Sequence, residues 1–287
     1  MTYNGPTSTT GINVGRNNAA NVTFKDSSNN QSGKFTSTNL SPNYNLIACR
    51  AYGTVTIESG NYSTNDGAKV IQNQGTLNLN GGTIAAGVKT ITDSANKSYS
   101  SIGVFNAGGT VTMAGTNITG QFGVVQNIVA GGTTSVAGGT INAGKTCIEV
   151  DTGTANISAG TLTGTYGIMA QLGGIVNVSG TAKITATDTG AAVYGDTTYA
   201  QSTSVASTLN VSGGTITGEY GVCAFGKGAV VDVTGGKIDG NTGFGISGNG
   251  TYSETKNEND GGTVITISGG TVTGKDAGIY HPQNGTL

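Results

Sequence analysis

The chain has 287 residues, with 51 Gly, 46 Thr and 28 Asn against 3 Pro, so about a third of its length is Gly or Thr. Helix formers are scarce where Gly and Thr are dense, and no run of 18 apolar residues occurs, which argues against a helical bundle and against a membrane span. A net charge of −2 with the 13 Lys and Arg scattered singly provides no basic field for nucleic acid.

Gly does not recur every third residue, so collagen is excluded. The apolar residues are β-branched and regularly spaced, which disorder does not require. Cys49, Cys147 and Cys223 form neither a CxxC pair nor an even framework, so they read as buried free thiols. Residues 1–20 lack the charged start and apolar stretch of a signal peptide.

In chain order, residues 1–19 read as an N-terminal edge or cap and 20–287 as a repeat region. A degenerate first unit carries Asn21-Val-Thr-Phe24, Gly33-Lys-Phe35 and Asn45-Leu-Ile-Ala48. Regular units then start near Gly53, Gly75, Gly109, Gly132, Gly153, Gly174, Ser207, Ala229 and Thr263. The basic period is 21–23 residues, and three units are longer, with insertion loops near 88–101, 195–206 and 248–261. Ser207-Thr-Leu-Asn-Val-Ser-Gly-Gly-Thr-Ile-Thr-Gly218 shows the pattern, and Gly221-Val-Cys-Ala224 supplies its third short run.

Within each run apolar and small polar residues alternate, which places one set of side chains on one face. A single unit cannot bury that face, whereas stacked units can. The expected fold is all-β: a right-handed parallel β-helix of about ten coils with three short strands each. The inward positions of the first strand include Val55 and Ile57, Leu77 and Leu79, Val176 and Val178, and Leu209 and Val211. Those of the second include Ile84, Ile118, Ile184, Ile216 and Ile238. Gly at the corners is expected to supply positive φ. Asn284-Gly-Thr-Leu287 reads as the opening of a further coil, so flanking domains of a larger chain are expected.

The Gly-Thr-Leu-Asn-Val-Ser-Gly-Gly-Thr-Ile-Thr-Gly motif resembles the right-handed parallel β-helix repeats, pectate-lyase-like in fold, of large surface proteins of Gram-positive bacteria. That resemblance implies an extracellular, cell-surface location and a role as an adhesin or spacer. Fold kinship with pectate lyases does not confer their chemistry.

Catalysis by a polysaccharide lyase or glycoside hydrolase needs gathered carboxylates and a proton-transfer partner. The outward column of the first strand holds one carboxylate, Asp232, with Asp239 and Lys237 nearby in sequence; solvated polar positions explain them. His281 is the only histidine, so neither a metal site nor a cofactor is expected. Thr-apolar-Thr triplets at 161–163, 215–217 and 271–273 resemble ice-binding arrays, but Lys183 and Lys237 interrupt them, and the β-propensity of Thr explains the triplets.

The third strand is more informative. Its outward column is read as Ile47, Ile71, Phe105, Val125, Glu149, Met169, Tyr194, Cys223, Ser247 and Tyr280. Phe122, Tyr166, Tyr220 and Phe244 precede the Gly of this strand, near the corner leading into the same face. Exposed rings on a rigid sheet can stack on sugars, and the insertions would add Tyr199 and Tyr252 beside them. The candidate binding residues for a glycan or a host or cell-surface protein are therefore Tyr166, Tyr194, Tyr199, Tyr220, Phe244, Tyr252 and Tyr280. The competing account has the rings covering corners or packing on another domain, and a slip of one residue would turn the column inward.

Overall fold

A computed structural model describes residues 10–30, 32–38, 44–126, 131–195, 205–249, 262–281 and 285–287. The chain divides into two compact units, Met1–Cys147 and Ile148–Leu287. Every regular element among the described residues is a strand.

In the first unit three parallel ladders follow from the alternating runs. The first joins Ala20–Phe24, Gly53–Ile57, Thr76–Leu79, Thr110–Met113 and residues 133–136. The second joins Lys34–Ser37, Asn61–Thr64, Thr83–Ala85 and residues 117–119. The third joins Ile12–Val14, Asn45–Cys49, Lys69–Asn73, Ile102–Asn106 and residues 122–126. Residues 12–14, assigned by sequence to a terminal edge, thus pair with the third strand of the first unit. The one antiparallel pairing among the described residues, Ile91–Thr92 with Ser98–Tyr99, forms a hairpin inside the first insertion.

The second unit repeats the scheme. Its first ladder runs through 154–157, Ile175–Val178, 208–211, 230–233, Thr263–Ile267 and Gly285–Thr286. The second runs through 161–164, 183–186, 215–217, 237–240 and Thr271–Gly274. The third contains 166–170, 189–194, Tyr220–Phe225, Phe244–Asn249 and Ala277–Tyr280. Parallel pairing of like segments from successive repeats fits a β-solenoid.

The inward aliphatic residues expected from the alternation form the core. Val55, Ile57, Leu77, Leu79, Ile84, Ile118, Leu162, Ile184, Leu209, Ile216 and Ile238 are all buried. Burial of such side chains is worth about 1.5–3 kcal/mol each relative to exposure. Val272 and Ile267 near the C-terminal rungs are only partly covered.

Glycine serves two purposes here. The second Gly of the Gly-Gly pair turns the chain between ladders with positive φ, as at Gly214 (76°) and Gly236 (78°). The third-strand Gly instead makes room for a neighbour: a Cβ on Gly190 would meet Ile216 Cγ2 at 2.5 Å, and one on Gly221 would meet Ile238 Cγ2 at 2.7 Å. The three cysteines are free and buried.

One expectation is corrected. Ile47 and Ile71 do not stand on the outer face: they pair with each other, continue to Val104 and Val124, and lie in the core. The outer column of this ladder is Ala48, Gln72, Phe105 and Val125. Asn45-Leu-Ile-Ala-Cys49 is apolar on both faces, so alternation cannot fix its phase.

Candidate functional site

Register on the third ladder of the second unit builds a groove from three adjoining columns. Tyr166 pairs with Thr189 and Thr189 with Tyr220, and the Tyr220 ring packs on Phe244 with centroids 6.1 Å apart. Three residues along, Met169, Ala192, Cys223, Ser247 and Tyr280 are in register. Further along the same face, Tyr194 pairs with Phe225, and the two rings stack at 5.2 Å with planes 21° apart.

Between Met169 and Tyr280 the middle column is small, and rings stand in the columns on either side of it, so the surface is a trough with ring walls. Ala192, Cys223 and Ser247 point away from the core yet are only 1%, 5% and 3% exposed. The cavity is about 330 Å³, lined by Tyr166, Asp188, Tyr194, Tyr220, Phe225 and Phe244 over that floor. This lies at the small end of the range typical of ligand sites, about 300–1,000 Å³.

Polar groups at the floor are mutually satisfied. Ser247 Oγ donates to Cys223 Sγ at 3.3 Å, and Thr189 Oγ1 donates to Asp188 Oδ1 at 2.8 Å. Burial raises the Cys223 pKa, opposed by its hydrogen bonds with Ser247 and Thr189, which leaves a thiol rather than a nucleophilic thiolate at neutral pH. Burial, followed by the charge and hydrogen bond of Asp188, raises the pKa of Tyr166. The Glu219 carboxylate is the largest cause of an upward shift at Tyr220, with smaller contributions from burial, Cys223, Asp188 and Asp276. Both phenols therefore stay neutral, in a negative local field.

Of the residues singled out by sequence, Tyr166, Tyr194, Tyr220 and Phe244 come together here. Tyr280 is 41% exposed and stacks on Phe244 at 4.3 Å, extending the aromatic wall. Tyr199 and Tyr252 lie outside the described residues. Two placements differ from the sequence reading. Tyr194 does not share the Cys223 column, which Ala192 occupies. Tyr220 and Phe244 lie within the third strand rather than at a corner, because pairing begins before the Gly. Phe225 and Asp188 were missed; Phe225 stands two residues after Cys223, so alternation alone places it on the same face.

The acid–base candidates do not converge. Asp232 sits in the first ladder between Asn210 and Thr266, in a column where Asn177 Nδ2 donates to Asn156 Oδ1 and Asn210 Nδ2 to Asn177 Oδ1, both at 2.8 Å. Asp239 belongs to the second ladder, where it pairs with Lys237 Nζ at 2.9 Å and accepts from Thr273 Oγ1 at 2.7 Å. These partners, Lys237 foremost, lower its pKa. His281 Nδ1 lies 3.1 Å from the Gly248 carbonyl oxygen. Among the described residues no group of three or more His, Cys, Asp or Glu could hold a metal ion. Register places Lys183 and Lys237 in one column with Thr161, Thr215 and Thr271, alternating along it, so the Thr lattice is interrupted.

No described helix is long and apolar enough to cross a membrane. In comparisons with protein-family models, curated proteins and solved structures, nothing matches this chain.

Proposed function

We propose that the chain is a right-handed β-solenoid of about ten coils, three strands to a coil, acting as a non-catalytic adhesive or spacer module at the cell exterior. Its aromatic groove in the second unit binds neutral glycans. The observation that carries this reading is the pair of ring walls, Tyr166, Tyr220 and Phe244 facing Tyr194 and Phe225, around a floor of small side chains. A pyranose offers apolar C–H faces to such rings while its hydroxyls reach the rim. Asp188, with Glu219 and Asp276 near Tyr220, disfavours acidic sugars in this groove.

Catalysis by a lyase or hydrolase would need two acid or base groups inside the groove, and among the described lining residues Asp188 is the only carboxylate, Glu219 and Asp276 lying outside that lining. A glycan array run with the wild type and with Tyr194→Ala and Tyr220→Ala tests the binding reading. Each substitution should weaken neutral-glycan binding by tenfold or more, about 1.4 kcal/mol. An array with no binding, or binding indifferent to both changes, removes the proposal.

A further inference from the structure

The aromatic groove of the second unit is chemically lopsided. Asp188 stands on the side of Tyr166 and Tyr220, and no Lys, Arg or His is among the described residues of the lining. The far side, where Tyr194 stacks on Phe225, offers ring surface alone.

Asp188 is held in place without being neutralised. Thr189, only 5% exposed, donates from Oγ1 to Asp188 Oδ1 at 2.8 Å, and the Tyr166 phenol hydrogen-bonds to the same carboxylate. Among the described residues no cation pairs with it; Lys237, in the second ladder, is paired with Asp239 instead. An ionised carboxylate accepts about four hydrogen bonds, so two fixed donors orient Asp188 and leave acceptor capacity for a ligand. Further negative charge lies at this end of the groove. Glu219 is the first cause of the raised Tyr220 pKa, ahead of burial, Cys223, Asp188 and Asp276.

The rings favour the same sign of charge. An aromatic face carries partial negative charge and attracts an ammonium within about 6 Å of the ring centre. Phe244 is stacked by Tyr280 and Tyr194 by Phe225, whereas Tyr166 makes no ring contact among the described residues. A phenol with no ring stacked on it thus adjoins an oriented carboxylate. An acetamide placed there brings one N–H and no charge, and an ammonium brings three N–H donors and a full charge.

We propose that the groove selects glycans containing an unacetylated amino sugar, with the ammonium at Asp188 beside Tyr166 and Tyr220 and the apolar face of the pyranose towards Tyr194 and Phe225. This deepens the glycan reading of the groove and rests on it: ring stacking holds the sugar, and the ammonium sets which sugar is preferred.

Calorimetric titration of the whole chain with the β-1,4 disaccharides of glucosamine and of N-acetylglucosamine tests this, at about pH 6, below the usual titration range of amines. The glucosamine disaccharide should bind at least tenfold more tightly. Asp188→Asn should bring the ratio close to one, whereas Asp232→Asn, in the first ladder, should leave the ratio as it is. If Asp188→Asn does not fold, NMR of the wild type decides: the glucosamine disaccharide should move the Asp188 carboxyl carbon signal more than its acetylated counterpart does, and equal shifts overturn the assignment. Equal affinities, or a preference that survives Asp188→Asn, overturn the amino-sugar inference and leave the glycan reading standing. Tetramethylammonium binding as tightly as the glucosamine disaccharide also overturns it, by showing a site for a bare cation. Binding of neither disaccharide removes both.

Discussion

The third ladder differs between the two units at both its outer face and its inner corner. In the first unit the outer face packs on itself: Ile102, Phe122 and Val125 are buried together with Phe105 against them, and Lys145 Nζ lies 5.1 Å from the centre of the Phe122 ring. In the second unit Ala192, Cys223 and Ser247 stand at outward positions, and the rings are left as walls. At the corner leading to the first ladder, the first unit stacks Cys49, Asn73, Asn106 and Gln126, while the second stacks Ala170, Val193, Ala224 and Gly248. The same backbone course is thus closed in one unit by buried amides and in the other by small apolar groups. The amides hold because most of their groups find partners, Asn73 Nδ2 donating to Asn106 Oδ1 among them, although Asn73 Oδ1 is buried without one; a buried amide stabilises only where its partners are present.

The largest effect is expected from exchanging these corners. Asn106 is fully buried; it accepts from Gly109 N–H at 3.1 Å and from Asn73 Nδ2 at 3.0 Å, and it donates to the Gly109 carbonyl oxygen at 3.0 Å. Asn106→Leu orphans these groups and should cost about 3 kcal/mol or more, at roughly 1–3 kcal/mol for each unsatisfied group. Val193→Asn should be costly in the second unit for the converse reason, a buried amide without a built partner set. Urea denaturation of both variants checks this, and a neutral result for either one breaks the contrast.

A smaller effect concerns Lys69. Its folded pKa, about 8, lies below the unfolded value of 10.5, so the unfolded chain binds the proton more tightly and burial of the ammonium destabilises the fold most below pH 8. That penalty fades as pH rises from 8 towards 10.5. Lys69→Met should therefore exceed the wild type in stability at pH 7, and its margin should narrow by roughly 2 kcal/mol by pH 9.5. Taking the difference between the two proteins cancels the opposing titration of Cys49 and Cys223, whose raised pKa values make folding less favourable as pH climbs through the thiol range. A constant margin would show that Lys69 is not held in a low-polarity site.

The smallest expected effect is chemical. Cys223 floors the aromatic groove with a raised pKa, and should react with iodoacetamide more slowly than the thiol of the urea-unfolded chain at pH 7.5. A glycan held in the groove should slow it further. Mass spectrometry of the labelled peptide checks this without any substitution.

Some of this was written in the residues themselves. Leu209-Asn-Val211 followed by Gly-Gly-Thr-Ile216 fixes which side chains enter the core, because strict alternation leaves a single phase that buries apolar groups, and the partners Leu209–Val231 and Ile216–Ile238 follow from the repeat. Phase in the third strand was not legible by this means. Leu46-Ile-Ala48 and Val104-Phe105 offer apolar groups to both sides, and the pairing of Tyr194 with Phe225 is set in part by Gly190 lying beneath Ile216.

The sequence by itself determined the strand periodicity, the aliphatic core and the presence of aromatics before the third-strand Gly. These are local properties, repeated within each unit of about twenty residues. Only the tertiary structure decided that Ala192 and Cys223 would form a floor between rings and that Lys69 would be shut beneath a hairpin. Both depend on which side chains stand beside one another on rungs 20–34 residues apart, and on small neighbours leaving space, neither of which a single repeat specifies.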